Sequence, residues 1–167
     1  MGSTADLLVA ALRDANATVG TAESLTGGQL AARITNVPGS SVVYAGGVVS
    51  YQTPVKINVL GVPEETVAEH GVVSAECARE MADGVRRLLG TTYGVSTTGV
   101  AGPDRQEGKP VGTVFVGVAG PEGVHAEALS LEGDRSAIQD ASVGAALSVL
   151  AAMISSTGPA PEDSRLG

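Results

Sequence analysis

Apolar positions along the chain recur with two periods, and the switches between them outline alternating helices and strands. Leu7, Leu8, Ala11 and Leu12 fall at helical spacing behind Thr4, which can cap the helix they define. A short strand over 17–22 follows, and a second helix over 27–36 is entered through a pair of glycines. The break "VPGSS" precedes a β-branched run over 42–51 that reads as a strand. Pro54 suits the first position of a short helix, residues 62–71 read as another, and a longer one runs from a Ser74 cap to Gly90. A buried strand beginning near Tyr93 enters a glycine-rich loop, and two more strands cover 112–119 and 124–131. Asp134 caps a last helix that reaches Met153, after which "SSTGPAPEDSRLG" has the composition of a disordered tail.

This alternation predicts one α/β domain over 1–155, with a tail over 156–167, built as a three-layer α/β/α sandwich. The strands flanking "AGPEG" read as a hairpin, so the sheet is expected to be mixed rather than all parallel. Composition narrows the packing further. The apolar 43% is carried by Ala, Val, Leu and Ile, with no Trp and one Phe, which suits helices lying close on a sheet.

Net charge is −8, and the ten Lys and Arg are scattered, so there is no basic footprint for nucleic acid. A small anion remains an acceptable partner, because a few local donors hold one phosphate. The single Cys77 excludes an internal disulfide, and His70 and His125 lack zinc-site spacing, so neither metal nor cofactor is expected. The opening residues show no secretory pattern, and no apolar run comes near about 20 residues, which makes the cytoplasm the expected location and a membrane an unexpected one. Alanine- and valine-rich helices suit a homo-oligomer, with a dimer as the simplest form.

Two glycine-rich segments could carry chemistry. In "TAESLTGG" (21–28), Ser24 sits at a strand-to-helix turn, where it is either a helix cap or a nucleophile beside free backbone amides. Amides around Thr26, Gly27 and Gly28 could hold a phosphate or an oxyanion. A serine nucleophile needs a base, and Lys56 is a candidate: it is the only lysine before Lys109, it is flanked by Val55 and Ile57, and it follows Pro54 into a first helical turn. A solvated surface lysine is the plainer reading. Tyr51 could orient that lysine or relay a proton, or simply pack in a strand. In the second segment, "TTGVAGPDRQEGKPVGT" (97–113), Thr98, Gly99, Ala101 and Gly102 offer amides and small surfaces for the other wall of a pocket, with Lys109 as a counter-charge. Arg135, at the start of the last helix, opposes the dipole there and points to an anionic partner.

In order, "TAESLTGG", "GGVVSYQTPVK", "GVPEETVAEHGVVS", "TGVAGPD", "KPVGTVFVGV" and "GDR" resemble the CinA C-terminal domain family over residues 5–155. The resemblance implies an α/β/α fold and a metal-free amidase. Its substrate would be nicotinamide mononucleotide, a pyridine nucleotide whose carboxamide is hydrolysed to nicotinate mononucleotide and ammonia. It further implies Ser24 as nucleophile, Lys56 as base and Tyr51 beside them; Arg135 and the 98–102 loop are the candidates for holding the ribose phosphate. The chain departs from the family's "YSNEAK" at "YQTPVK", carries Leu25 where Cys is common, and has Arg105 and Gln106 where the loop is usually richer in glycine. The alternative is a silent nucleotide-binding module of the same fold.

Overall fold

A computed structural model describes residues 2–156. Among them, five strands form one open sheet: β1 (Val19–Glu23), β2 (Tyr44–Val49), β3 (Tyr93–Gly99), β4 (Thr113–Gly120) and β5 (Gly123–Ser130), in the spatial order β2-β1-β3-β4-β5. β1 pairs in parallel with β2 and β3, whereas β4 runs antiparallel to β3 and β5. The sheet is therefore mixed, as the hairpin implied.

Six helices cover its two faces: α1 (Thr4–Asp14), α2 (Gln29–Thr35), α3 (Thr53–Asn58), α4 (Glu64–His70), α5 (Ala75–Leu89) and α6 (Arg135–Ser156). Leu8 and Leu12 of α1, Leu30 and Ile34 of α2, and Leu147 and Leu150 of α6 bury against Val19, Val95 and Val116 on one face. Cys77, Met81 and Val85 of α5 pack with Ala22, Leu60 and Val62 on the other. α5 lies very close to the sheet. A Cβ on Gly94 would sit 2.1 Å from the Ala82 carbonyl oxygen, and one on Gly117 would sit 2.1 Å from that of Ala78. Ser96 completes this contact by donating to the Ala78 carbonyl at 2.6 Å.

Several expected boundaries move for local reasons. Ser3, not Thr4, caps α1, because Asp6 three residues on returns a bond to the Ser3 amide and closes a capping box. The first strand shifts from 17–22 to Val19–Glu23. β2 begins only at Tyr44, since Ser40–Val42 winds into a 3-10 turn and takes the first β-branched residue. α2 starts at Gln29 behind Gly28, whose φ of 105° serves the turn. Pro54 is the second residue of α3 rather than the first, and Lys56 the fourth of six. Ser74 and Gly90 bound α5 as expected, and the Asp134 side chain accepts the Ala137 amide at the start of α6.

α6 extends to Ser156, so the expected tail begins at least one residue later; its remainder, 157–167, lies outside the described residues. With 22 residues, and a mean hydropathy of 1.6 over an 18-residue stretch, α6 is long and apolar enough by length and composition to cross a membrane, contrary to the expectation of no such run. Its alanine, serine and glycine positions conceal this length from a scan for bulky residues. A stripe from Ile138 through Val143 and Leu147 to Ile154 is buried within the domain, which makes it the helix of one packed layer.

Candidate active site

The parallel strands β2, β1 and β3 deliver their carboxyl ends to one edge of the sheet, where ligands of α/β folds gather. A cavity of about 470 Å³ opens there. Its lining includes Ser24 and Leu25 after β1, Tyr51 and Thr53 after β2, Lys56 of α3, the 98–106 segment after β3, and Arg135 at the start of α6.

Ser24 is the first residue beyond β1. Its amide donates to the Thr97 carbonyl at 3.0 Å, and its carbonyl accepts from Gly27 at 3.1 Å, which closes a tight turn. It caps no helix; α2 is entered through Gly28 without a side-chain cap. That task falls to Glu23, a fully buried residue whose carboxylate accepts the amides of Leu30 at 2.8 Å and Ala31 at 3.1 Å. Thr26 donates to the same carboxylate at 2.6 Å and meets the Thr97 hydroxyl at 2.8 Å. Thr26, Gly27 and Gly28 thus build the turn from behind and do not line the cavity.

Lys56 is 1% exposed. Its Nζ lies 3.0 Å from Ser24 Oγ, 2.6 Å from the Ser50 carbonyl oxygen and 3.3 Å from that of Tyr51. No carboxylate reaches it among the ion pairs of the described residues. Burial holds its ammonium below the ordinary lysine range, partly opposed by Cys77 and Glu107. The depression comes from desolvation, and Lys56, fourth of six residues, stands in the last turn of α3 rather than in the first turn expected from the sequence. The Cys77 thiol is itself pushed up to about 11 by burial, so it opposes that depression only where the pH is high enough to ionise it.

The three contacts suit the ammonium, with Nζ donating to Ser24 Oγ as well, and suit the neutral amine in one arrangement only. An ammonium has three N–H donors, whereas a neutral amine has two and one lone pair. Two backbone carbonyls can only accept, so they occupy the two N–H bonds of the neutral form. The lone pair is then left facing Ser24, whose hydroxyl is the one neighbour of the three able to donate.

Tyr51 serves a different neighbour from the one expected. Its backbone carbonyl meets the lysine, but its side chain is 57% exposed and its hydroxyl accepts from Arg135 Nη2 at 2.9 Å. Arg135 also donates through Nη1 to the Gly102 carbonyl at 2.7 Å, joining the segment after β2 to the loop after β3. Thr98, Gly99, Ala101 and Gly102 all line the cavity, though the Thr98 hydroxyl donates to the Val72 carbonyl at 2.7 Å. Lys109 is absent from the lining; its ammonium bonds the Val73 carbonyl.

Three contributors escape a reading of motifs. Glu23 braces the Ser24 turn, and Glu107 accepts the amides of Val72 at 3.0 Å and Val73 at 2.8 Å, docking its loop against the cavity wall. Gln139, one turn beyond Arg135, donates to the Leu25 carbonyl at 2.9 Å. Only Glu23 carried a signal, a carboxylate closing an otherwise uncharged strand.

Comparison with known proteins agrees over nearly all of these elements. The model of the CinA C-terminal domain matches residues 2–154. A CinA-like protein of Frankia casuarinae is 51% identical over 139 residues, covering 83% of this chain and 32% of that protein. A competence-damage inducible protein of Desulforamulus reducens is 48% identical over 136 residues, covering 81% and 33%. The chain thus spans about a third of the length of these curated relatives. Among solved structures, a competence-damaged protein superfamily member from Klebsiella pneumoniae superposes with a TM-score of 0.87 at 33% identity, covering 93% of this chain and 99% of that one. A competence/damage inducible protein from Agrobacterium tumefaciens gives 0.85 at 32%, covering 92% and 97%.

Proposed function

Because the chain belongs to the CinA C-terminal domain family, we propose that it is an amidase that hydrolyses the carboxamide of nicotinamide mononucleotide through a Ser24–Lys56 dyad. The observation that carries this reading is the 3.0 Å contact between a buried, charge-disfavoured lysine and a serine on a tight strand-to-helix turn.

Neutral Lys56 takes the Ser24 proton as Oγ attacks the carboxamide carbon. The lysine, now an ammonium held by the Ser50 and Tyr51 carbonyls, returns that proton to the amide nitrogen, and the C–N bond breaks to release ammonia. Water then attacks the acyl-enzyme, giving one proton to Lys56, which passes it to Ser24 Oγ as nicotinate mononucleotide leaves. The amides of Leu25, Ala101 and Gly102, which have no backbone acceptor among the described residues, are available to the oxyanion. Arg135, at the rim, is suited to the ribose phosphate, with Gly99 and Gly102 letting the substrate approach the backbone.

The test is ammonia release from nicotinamide mononucleotide by the purified chain, with Ser24→Ala and Lys56→Ala each reducing it by ~10³-fold or more. Activity retained in either variant removes the dyad. Binding of the nucleotide without turnover by the unsubstituted chain would make it a binding module.

A further inference from the structure

The turn that carries Ser24 is pinned on both sides of Leu25. Ser24 is fixed through its amide to Thr97 and through its carbonyl to Gly27. The Leu25 side chain is packed among Ala101, Val114 and Ile138. The Leu25 carbonyl is held by Gln139 Nε2 at 2.9 Å, and no other described group bonds it. The Leu25 and Thr26 amides have no acceptor among the described residues, although both residues are buried. Folds rarely leave a buried amide so, unless an acceptor arrives from elsewhere.

The planar trans peptide links these facts. Carbonyl and N–H of one peptide point in opposite directions, so fixing one aims the other. Tying the Ser24 carbonyl into the turn directs the Leu25 N–H outward, and tying the Leu25 carbonyl to α6 fixes the other end of the same residue. Immediately downstream the chain passes through Gly27 and Gly28, at φ 55° and 105°, which restrain the peptide little.

We propose that Gln139 is a positioning residue for acyl transfer: by holding the Leu25 carbonyl to α6 it fixes Leu25 beside Ser24, so that the Leu25 amide at the cavity wall stays free for a developing oxyanion. The inference rests on Ser24 being the nucleophile. Gln139 stands one turn from Arg135 on the same face of α6. One rigid helix thereby sets the rim of the cavity and the turn at its floor in a common frame.

The experiment uses a small uncharged alkyl fluorophosphonate, so that it does not depend on which amide is the substrate. Ser24 Oγ bonds phosphorus, fluoride leaves, Lys56 takes the serine proton, and the phosphoryl oxygen develops charge beside the same amides. Labelling of the full chain is followed by intact mass and mapped to Ser24. Gln139→Ala and Gln139→Glu, which lack the donor, are expected to label roughly 10- to 100-fold more slowly, whereas Gln139→Arg, which retains donors, labels within about 3-fold of the original chain. In the amidase assay the same donor-less variants lose kcat with little change in KM. Equal labelling rates in all four chains, or a loss confined to KM, would overturn the role of Gln139. Failure of the unsubstituted chain to label at Ser24 would instead overturn the nucleophile, and the inference with it.

Discussion

Lys56 Nζ sits closer to the Ser50 carbonyl oxygen, at 2.6 Å, than to Ser24 Oγ, at 3.0 Å. A backbone acceptor thus anchors the amine whichever protonation state it holds, and the serine takes what remains. The neutral form gains population as pH rises through the depressed lysine value. The amidase rate is therefore expected to rise with pH and level off below the ordinary lysine value of about 10.4. Lys56→Arg, which cannot lose its proton, is expected to be inactive across the whole range. A pH–rate profile of both chains measures this, and a rate that falls with increasing pH over that limb contradicts the base.

Arg135 and Tyr51 divide rim duties. Arg135→Gln removes a cation and two rim contacts, and is expected to raise KM for a phosphate-bearing substrate by about 10-fold or more, with a smaller effect on the dephosphorylated nucleoside. Tyr51→Phe deletes only the acceptor at 2.9 Å and should cost a few-fold in KM while leaving kcat near its original value. Steady-state kinetics on the two substrates separate these outcomes; a large kcat loss in Tyr51→Phe would return the hydroxyl to proton transfer.

Glu107 acts on the site twice, once by docking its loop and once by its charge. Its carboxylate favours the charged form of Lys56 and accepts two amides of the facing segment. In Glu107→Gln the negative charge disappears, so the rising limb of the pH profile moves to lower pH. One of the two amides also loses its acceptor, and KM rises as the wall loosens. A limb shifted upward would contradict the sign.

Behind the turn, Glu23→Gln substitutes an amide nitrogen for one of the two oxygens that receive the Leu30 and Ala31 amides. A donor then faces a donor in a buried position, at a cost of about 1–3 kcal/mol. Chemical denaturation is expected to show this as a lower midpoint with an unchanged slope.

The order of elements was legible because helical and strand periods alternate cleanly, and α5 was bounded correctly because Ser74 and Gly90 are chemically unambiguous ends. Ser3 and Thr4 are both competent caps, and only the reciprocal bond from Asp6 decides between them. Ser24 and Lys56 could be singled out and paired as nucleophile and base by turn chemistry and isolation, and the family pattern matches that pairing, but a separation of 32 positions gives no distance. The Tyr51 hydroxyl was assigned to the wrong neighbour because proximity along a chain does not say which way a side chain turns. Gln139 was invisible, since its partner is a backbone carbonyl 114 positions away.

Gly94 and Gly117 lie in the sheet and line no part of the cavity, yet they set how closely α5 lies on the sheet. With only hydrogen on those Cα atoms, α5 rides on the sheet at carbonyl contact, and Cys77 and the 72–73 wall ride with it. A methyl at either position acts as a shim under the helix. It would move α5, and with it the 72–73 wall that precedes the helix, without touching a residue that lines the cavity, and the volume of the cavity would be the quantity to change.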